Sequence, residues 1–577
     1  MARTVVNHLP PPARKPAEPG AAAVLTKPRL LLAAATILVL IPFANKAFCM
    51  DDPLFLWAAR QIQAHPLNFY AFDVNWYGHH QPMSEVTKNP PLASYYIALV
   101  AGLFGWREIP LHLAFLIPAI AAVLGTYELA RLFCARPLIA ALAALLTPVF
   151  LVSSTNLMCD TMMLAWWVWT LVFWRQALRE NRLSAFVIAG LLAGLCALTK
   201  YFGMCIVPLM LADGFFKQRK PGTWLAAIVV PVAILAAYQW WTQAQYGRGL
   251  LLDAADFASA DQGSRIGHLP ATILTGLAFT GGCVFTVLAY STLLWSKRSI
   301  LAGIAAMALV VLLCRPVFSS LLQDVKPGSV WLAGFQLALF ALAGAALLLL
   351  TARDLLRTRD ADSLLLFLWV GGTFLFAAIV NWTVNGRSIL PMAPAVGILL
   401  MRHVDLQFGK PAERLEFRVL WPLLPAALVA LLVANADYRL ANSGPTAAYA
   451  LQEEARDSKG TLWFQGHWGF QYYMEQMGAT PLEDGISRLD PGDLLAIPLN
   501  ATNLTEMPDE FVHVRKIFEF RPNTFLSTMD ADTGSGFYAS VWGPLPWAVG
   551  PISPERYRLL TLITLLSPTS SPDAPAK

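Results

Sequence analysis

Apolar stretches alternate with short polar connections over most of the chain. The first runs from about residue 29 to residue 48, and a polar segment follows it. A membrane-spanning helix needs about 20 apolar residues, and many of the later stretches approach that length. The pattern therefore predicts an all-α polytopic membrane protein with about thirteen transmembrane helices. The later candidate spans are 109–131, 137–153, 160–177, 183–199, 201–216, 222–242, 270–294, 299–314, 330–351, 362–380, 388–402 and 418–435.

Basic residues mark one side of the predicted membrane helices. They concentrate in alternate connections, which the positive-inside rule assigns to the cytoplasm. The loop after the first helix then lies outside, and only one crossing fits between it and the basic residues Arg131 and Arg136. Segment 109–131 is long enough to be that crossing. Segment 92–105 has about 14 residues, which is short for a span, so we expect it to be interfacial or re-entrant.

Composition divides the chain into three parts. Residues 1–28 are rich in Pro, Ala and Arg and are predicted to be a disordered cytoplasmic tail. Residues 29–436 form the predicted transmembrane domain, with a first extracytoplasmic loop at 49–108. Residues 437–577 are more polar and predict a small α/β extracytoplasmic domain. Its predicted elements are a helix at 452–456, strands at 462–464 and 494–499, and a helix at 467–477.

Overall composition excludes an ordinary soluble protein. The 577 residues are 56% hydrophobic and 14% charged, and the mean hydropathy is +0.52. The net charge of +5 gives no indication of nucleic-acid binding. Seven cysteines lie in or beside apolar segments, so no disulfide framework is expected in the polar C-terminal region.

Two adjacent acids, Asp51 and Asp52, follow the first apolar helix. Asp52 precedes Pro53, and this pair is typical of a helix N-cap followed by the first helical position. Capping does not explain Asp51. A carboxylate at a membrane interface that is not needed as a cap is a candidate general base.

Three cations lie on the predicted outer side, where basic residues are few: Lys88, Lys200 and Arg387. Lys88 precedes Asn89-Pro90-Pro91, and its alternative role is to extend towards lipid headgroups. Lys200 lies between two apolar segments, where a lysine costs up to about 2.5–3.5 kcal/mol at mid-membrane and less at the edge. An arginine can hold phosphate through two parallel hydrogen bonds. Together these residues indicate a site for a lipid phosphate.

Aromatic and histidine side chains accompany these charges. Tyr77 and Tyr95 belong to a group of aromatics in the first loop that would form either an interfacial belt or a surface for stacking sugars. His79 and His80, together with Glu85 or with His268 and His467, are an alternative divalent metal site. No cofactor is otherwise indicated.

Four motifs resemble, in order, those of glycosyltransferase family 39. They are Asp51-Asp52, Lys88-Asn89-Pro90-Pro91-Leu92, Leu198-Thr199-Lys200 and Arg387-Ser388-Ile389-Leu390-Pro391. The family has the GT-C fold and is related to protein O-mannosyltransferases and to aminoarabinose transferases of lipid A. The resemblance is strongest over about 49–215 and weaker to about 400. Asp52 stands where the family usually has Glu, and Lys88-Asn89-Pro90-Pro91 is one residue longer than its Lys-Pro-Pro.

The resemblance implies an enzyme of the cell inner (plasma) membrane with its active site on the extracytoplasmic face. The donor would be a polyprenyl-phosphate-linked sugar, transferred with inversion to a lipid, glycan or protein acceptor. Asp51, beside Asp52, would be the catalytic base. Lys88, Lys200 and Arg387 would hold the departing lipid phosphate. The segment from His467 to Tyr473 would either cover the acceptor or form the core helix of the C-terminal domain.

Two other classes of protein share some of these features. A transporter also places charged residues near membrane helices, but it predicts internal repeats, which are not visible here. A non-catalytic protein that binds polyprenyl lipids would share the cations but would not need Asp51.

Overall fold

The computed structural model describes residues 26–259, 267–409 and 413–566. Most of the predicted tail at 1–28 lies outside these residues, and the first helix begins at Lys27. Helices dominate up to residue 455. Those of nine residues or more are Lys27–Leu40, Asp52–Ala64, Leu92–Phe104, Glu108–Ala130, Pro137–Leu145, Asp160–Glu180, Leu183–Thr199, Ile206–Gln218, Ala226–Tyr246, Leu250–Ser259, Leu269–Cys283, Lys297–Leu313, Val330–Thr358, Ala361–Leu375, Ala393–Phe408, Leu423–Ala455 and Trp468–Gln476.

The protein is a multi-pass helical membrane protein, as the apolar pattern predicts. Within the described ranges, six helices are long and apolar enough to cross a membrane, or up to eight if two bent pairs each count as one span. One bent pair is Pro137–Leu145 with Pro148–Ser154, which meet at 63°. The predicted number of about thirteen is therefore higher than length and composition give, because several predicted spans form shorter or broken helices.

Helix Leu92–Phe104 has 13 residues. At 1.5 Å per residue it is about 20 Å long, which is less than the ~30 Å hydrocarbon core. It packs against Asp52–Ala64 and exposes the apolar side chains of Leu99, Leu103 and Phe104. This length and exposed apolar face agree with an interfacial helix. Its orientation in a membrane stays a prediction.

The last long helix, Leu423–Ala455, has 33 residues, so the predicted boundary at 436 falls inside it. The described part of the C-terminal region that follows contains a mixed five-stranded sheet and two short antiparallel strand pairs, Leu526–Ser527 with Ala548–Val549 and Met529–Asp530 with Ser535–Gly536. Leu462–Phe464 pairs in parallel with Thr480–Pro481 and with Leu494–Pro498. Glu555–Leu562 pairs antiparallel with Leu494–Pro498 and with Val512–Phe520.

Both predicted strands of this region are present, and helix Trp468–Gln476 forms the crossover between the two parallel strands Leu462–Phe464 and Thr480–Pro481.

One continuous hydrophobic core joins the membrane helices to the C-terminal region. Phe48, in the segment between the first helix and Asp51, packs on Tyr472 with ring centroids 5.2 Å apart. Gly469 approaches the same segment so closely that a Cβ there would lie 2.0 Å from the Phe48 carbonyl oxygen. The loop that carries Asp51 is therefore fixed between the membrane helices and helix Trp468–Gln476.

Candidate functional site

The backbone turns sharply before the two acids. Met50 has φ of 47°, a left-handed conformation that costs a non-glycine residue about 1–3 kcal/mol and is enriched at functional sites. Asp51 occupies the N-cap position of helix Asp52–Ala64, but its side chain makes no capping hydrogen bond. Its carboxylate is 27% exposed and instead forms an ion pair of 2.8 Å with Arg387. Asp51 is thus a partly exposed carboxylate held by a cation.

Asp52 has a different environment. It is fully buried, and its two carboxylate oxygens accept backbone N–H bonds from Cys49 at 3.0 Å and Leu157 at 2.9 Å. Burial raises the pKa of Asp52 to about 7. The prediction that Asp52 is the N-cap is wrong, because the helix begins at Asp52 and its side chain reaches another loop. Asp52 joins the turn at Cys49 to the segment before Asp160.

Arg387 lies in a short helix, Gly386–Ile389, that Asn385 caps by accepting the N–H of Ser388. The C-terminal region holds this helix, because the N–H of Gly386 donates to the Phe537 carbonyl at 2.7 Å. The guanidinium of Arg387 lies 5.9 Å from the centre of the Tyr538 ring. Its Nε is buried and has no hydrogen-bond partner among the described residues. Arg387 therefore holds Asp51 and keeps one donor available.

A second ion pair lies beside the first. Lys200 and Asp160 are 2.5 Å apart, and Asp160 is almost completely buried. Asp160 is close enough to Arg387 to interact with it electrostatically. Sequence reasoning missed Asp160. Its signal was an acid at the first residue of the predicted span 160–177, on the predicted outer side.

Lys88 makes a separate contact. Its ammonium pairs with Asp253 at 2.5 Å, and Arg248 pairs with the same carboxylate at 3.0 Å. Asp253 lies in helix Leu250–Ser259, which was not predicted. The next residue, Asn89, reaches the residue before Asp160, since its side-chain oxygen is 3.5 Å from the thiol of Cys159. Lys88 therefore borders the two ion pairs without joining them.

His467 and Tyr77 lie near Asp51, whose charge acts on both. Burial lowers the pKa of His467 to about 4, against the opposing effect of Asp51, so the ring is neutral at pH 7. Its Nδ1 is buried and accepts from or donates to no group in the part of the chain that the structure describes, and the ring lies 5.0 Å from that of Trp76. Burial and then the Asp51 charge raise the pKa of Tyr77.

Tyr95 is placed elsewhere. Its hydroxyl donates to the carbonyl of Pro66, which links helix Leu92–Phe104 to the residues after helix Asp52–Ala64. The structure gives it no contact with Asp51, Arg387, Asp160 or Lys200 among the described residues.

A buried polar network supports the site, and sequence reasoning missed it. Lys46, which is fully buried, pairs with Asp437 at 2.5 Å and donates to Asn156 at 2.5 Å. Asp437 also accepts the hydroxyls of Tyr538 and Thr528, each at 2.9 Å. Removing one partner of a buried ion pair costs about 3–5 kcal/mol. The network fixes Tyr538, and with it the surface beneath Arg387.

The alternative metal site has no supporting geometry. Across residues 26–259, 267–409 and 413–566, no group of three or more His, Cys, Asp or Glu side chains is arranged to hold a metal ion. His79, one of the proposed ligands, contacts Gln81 instead.

Residues 88–241 match the family described as dolichyl-phosphate-mannose-protein mannosyltransferase. This match confirms the resemblance over that part of the chain and supports a membrane glycosyltransferase of the GT-C type. It includes Lys88, Asp160 and Lys200, whereas Asp51 and Arg387 lie outside it. No curated protein matches the chain.

Several solved structures are similar at low sequence identity. The Archaeoglobus fulgidus oligosaccharyltransferase tethered with an acceptor peptide has a TM-score of 0.47 at 16% identity, covering 79% of this chain and 63% of its own. ArnT from Cupriavidus metallidurans bound to undecaprenyl phosphate has a TM-score of 0.41 at 15% identity, covering 82% of this chain and 93% of its own. The S. cerevisiae Pmt1-Pmt2 complex bound to the sugar donor has a TM-score of 0.30 at 14% identity, covering 39% of this chain and 34% of its own. The chain thus spans less than two thirds of the first and third of these chains.

Proposed function

We propose that the protein transfers a sugar from a polyprenyl-phosphate donor to an extracytoplasmic acceptor, with inversion at the anomeric carbon. The observation that carries this proposal is the pairing of Asp51 with Arg387 beside the pair Asp160–Lys200. A carboxylate that can take a proton and two cations that can hold phosphate then share one site. The site would face the outside of the inner (plasma) membrane, and the acceptor would be a lipid, glycan or protein.

Asp51 is the proposed general base. It removes the proton of the acceptor hydroxyl or amine as the oxygen or nitrogen attacks the anomeric carbon. The bond between that carbon and the phosphate oxygen breaks, and its electron pair leaves with the polyprenyl phosphate. Its partial exposure makes Asp51 accessible, whereas both oxygens of Asp52 already accept backbone bonds. We therefore assign Asp52 a positioning role and not proton transfer.

Arg387 and Lys200 are the proposed phosphate ligands. Negative charge grows on the phosphate as the bond breaks, so fixed cations stabilise the transition state more than the ground state. The free Nε of Arg387 can bind a phosphate oxygen while the other side of the guanidinium holds Asp51. Asp160 positions Lys200. Lys88 would bind the phosphate only after leaving Asp253, so it is the weaker ligand.

The test is mass spectrometry of products made by the purified protein in lipid nanodiscs. The donors are a panel of undecaprenyl-phosphate sugars, and the acceptors are cell-envelope lipids, glycans and peptides. We expect one donor to give a glycosylated acceptor and free undecaprenyl phosphate. Lys200→Ala and Arg387→Ala should each lower the rate at least 100-fold, since removing one donor to a developing anion costs about 10²–10³-fold. Lys297→Ala, on the predicted cytoplasmic side, is the control.

Tight donor binding with no transfer to any acceptor in that panel would contradict the enzyme proposal and favour a lipid-binding protein. Equal turnover by wild type, Lys200→Ala and Arg387→Ala would remove both cations from the site.

A further inference from the structure

A cavity of about 300 Å³ lies between the C-terminal region and the loop that carries Asp51. One wall is the segment Phe48 to Met50, directly before Asp51, and the opposite wall comes from strands and loops of the C-terminal region. The volume is at the lower end of the range for small-molecule sites, about 300–1,000 Å³. The cavity therefore has the size and the position to hold a small group next to the proposed base.

Carboxylates line this cavity. They are Asp437, Asp530, Asp532 and Glu555, and no Lys or Arg occurs among the described residues that line it. Asp437 is paired with Lys46 at 2.5 Å and Asp532 with Lys326 at 2.6 Å, so within the described part of the chain Asp530 and Glu555 are the lining acids without an ion pair. The cations Arg387, Lys200 and Lys88 all lie outside it. A phosphate is therefore favoured at the cationic site and disfavoured in this cavity, because like charges repel.

Two further features indicate a ligand. Trp468 and Trp542 line the cavity, with ring centroids 6.0 Å apart, and Trp468 has the left-handed φ of 64°. His467 also lines it, is 5% exposed, and has a buried Nδ1 with no hydrogen-bond partner within residues 26–259, 267–409 and 413–566. Burying an unpaired polar atom costs about 1–3 kcal/mol. A ligand hydroxyl donating to Nδ1 would remove that cost.

We propose that this cavity binds the acceptor, and that the acceptor presents a sugar unit without a negative charge. Aromatic faces contact the apolar side of a sugar ring, and carboxylates accept its hydroxyl hydrogens. The hydroxyl or amino group of the sugar that lies nearest Met50 then meets Asp51. That the bound sugar is the acceptor rests on the proposed function. The binding of a sugar in this cavity does not depend on catalysis.

The experiment is saturation-transfer-difference NMR on the full chain in nanodiscs. The probes are the methyl glycosides of glucose, mannose, galactose and glucosamine, together with methyl glucoside 6-phosphate and methyl mannoside 6-phosphate. We expect signals from at least one uncharged or amino glycoside and none from the phosphates. Trp542→Ala and Glu555→Gln should each weaken the positive signal at least fivefold. Asp490→Asn, which changes a 65% exposed carboxylate of the same region, is the matched control.

Binding of undecaprenyl phosphate to the same preparations separates the two proposals. It should be equal in wild type, Trp542→Ala and Glu555→Gln, which also shows that the variants are folded. If the wild type does not bind undecaprenyl phosphate, the proposed function is contradicted, while the proposal of a sugar site still stands on the glycoside signals. Absence of signal from every uncharged and amino glycoside, signals from the phosphates as strong as from the parent glycosides, or signals unchanged in both variants would each overturn the acceptor site.

Discussion

Replacing Asp52 by Asn tests whether this carboxylate is a structural link. The side chain of Asn has the same shape but only one acceptor oxygen, while two backbone N–H groups, from Cys49 and Leu157, point at Asp52. One of these donors would face the NH₂ group. The site is fully buried, so water cannot supply the missing acceptor.

The magnitude follows from these two bonds. A buried donor without a partner costs about 1–3 kcal/mol. Burial raises the pKa of Asp52 to about 7, so the folded wild type keeps this carboxyl protonated at pH 4, where both of its oxygens can still accept. We expect Asp52→Asn to lose about 2 kcal/mol in the free energy of unfolding at pH 4. The raised pKa costs the wild type stability as the pH rises from about 4 to about 7, so this difference shrinks with rising pH.

The assay is thermal unfolding by intrinsic fluorescence in nanodiscs at pH 4. Asp51→Asn is the matched control, because the Asn oxygen can still accept the Arg387 bond and, among the described residues, no backbone N–H donates to the side chain of Asp51. We expect Asp52→Asn to unfold at a clearly lower temperature than Asp51→Asn. If Asp52→Asn unfolds at the wild-type temperature, the two backbone bonds do not hold the loop and our account of Asp52 is wrong.

Three further predictions follow from the same contacts. Asp160→Asn should lower turnover in the donor-transfer assay about 10- to 100-fold, because Lys200 loses the buried carboxylate that positions it. This loss of rate corresponds to about 1.4–2.8 kcal/mol of transition-state stabilisation. Unchanged turnover would contradict the positioning role of Asp160. Burial raises the pKa of Glu555 from 4.5 to about 7, so the stability that Glu555 contributes is complete below pH 4.5 and is lost as the pH rises through 7. Glu555→Gln should therefore gain stability relative to wild type with rising pH, by up to about 3 kcal/mol. An identical pH dependence of the stability of both proteins would contradict this pKa shift. Cysteines at Gly105 and Arg107, in a variant lacking the native cysteines, should be labelled by an impermeant reagent from outside the cell, and labelling only from the cytoplasm would show that 92–105 crosses the membrane.

Periodic and compositional features were readable from the sequence. Long apolar segments gave helices such as Glu108–Ala130 and Leu183–Thr199 almost to the residue, because length and hydropathy decide whether a segment is stable in a bilayer. The strand Leu494–Pro498 and the helix after His467 were likewise predictable, since each carries a local pattern. Asp51 and Arg387 were selected because a charge at a membrane edge is unusual.

Residues whose role depends on distant partners were not readable. Lys46 is a charge near the end of the first apolar segment, but nothing in its local sequence points to its partner Asp437, which is 391 positions away. Asp160 was hidden because an acid in the first turn of a helix has an ordinary explanation in the helix dipole. Asp52 was assigned to capping from the following proline, and only the position of Leu157 reveals its second partner. Such pairings are set by tertiary packing and leave no local signal.

Donor binding and sugar transfer by Asp51→Asn, measured in the same nanodisc preparation, decide whether Asp51 is the general base. Asn retains the size of Asp and an oxygen for Arg387 but cannot accept a proton, and loss of a general base typically lowers the rate by about 10²–10⁴-fold. We expect Asp51→Asn to bind the undecaprenyl-phosphate sugar as wild type does and to transfer it at least 100-fold more slowly. Transfer at a near-wild-type rate by Asp51→Asn would contradict the assignment of Asp51 as the base, and with it the proposed mechanism.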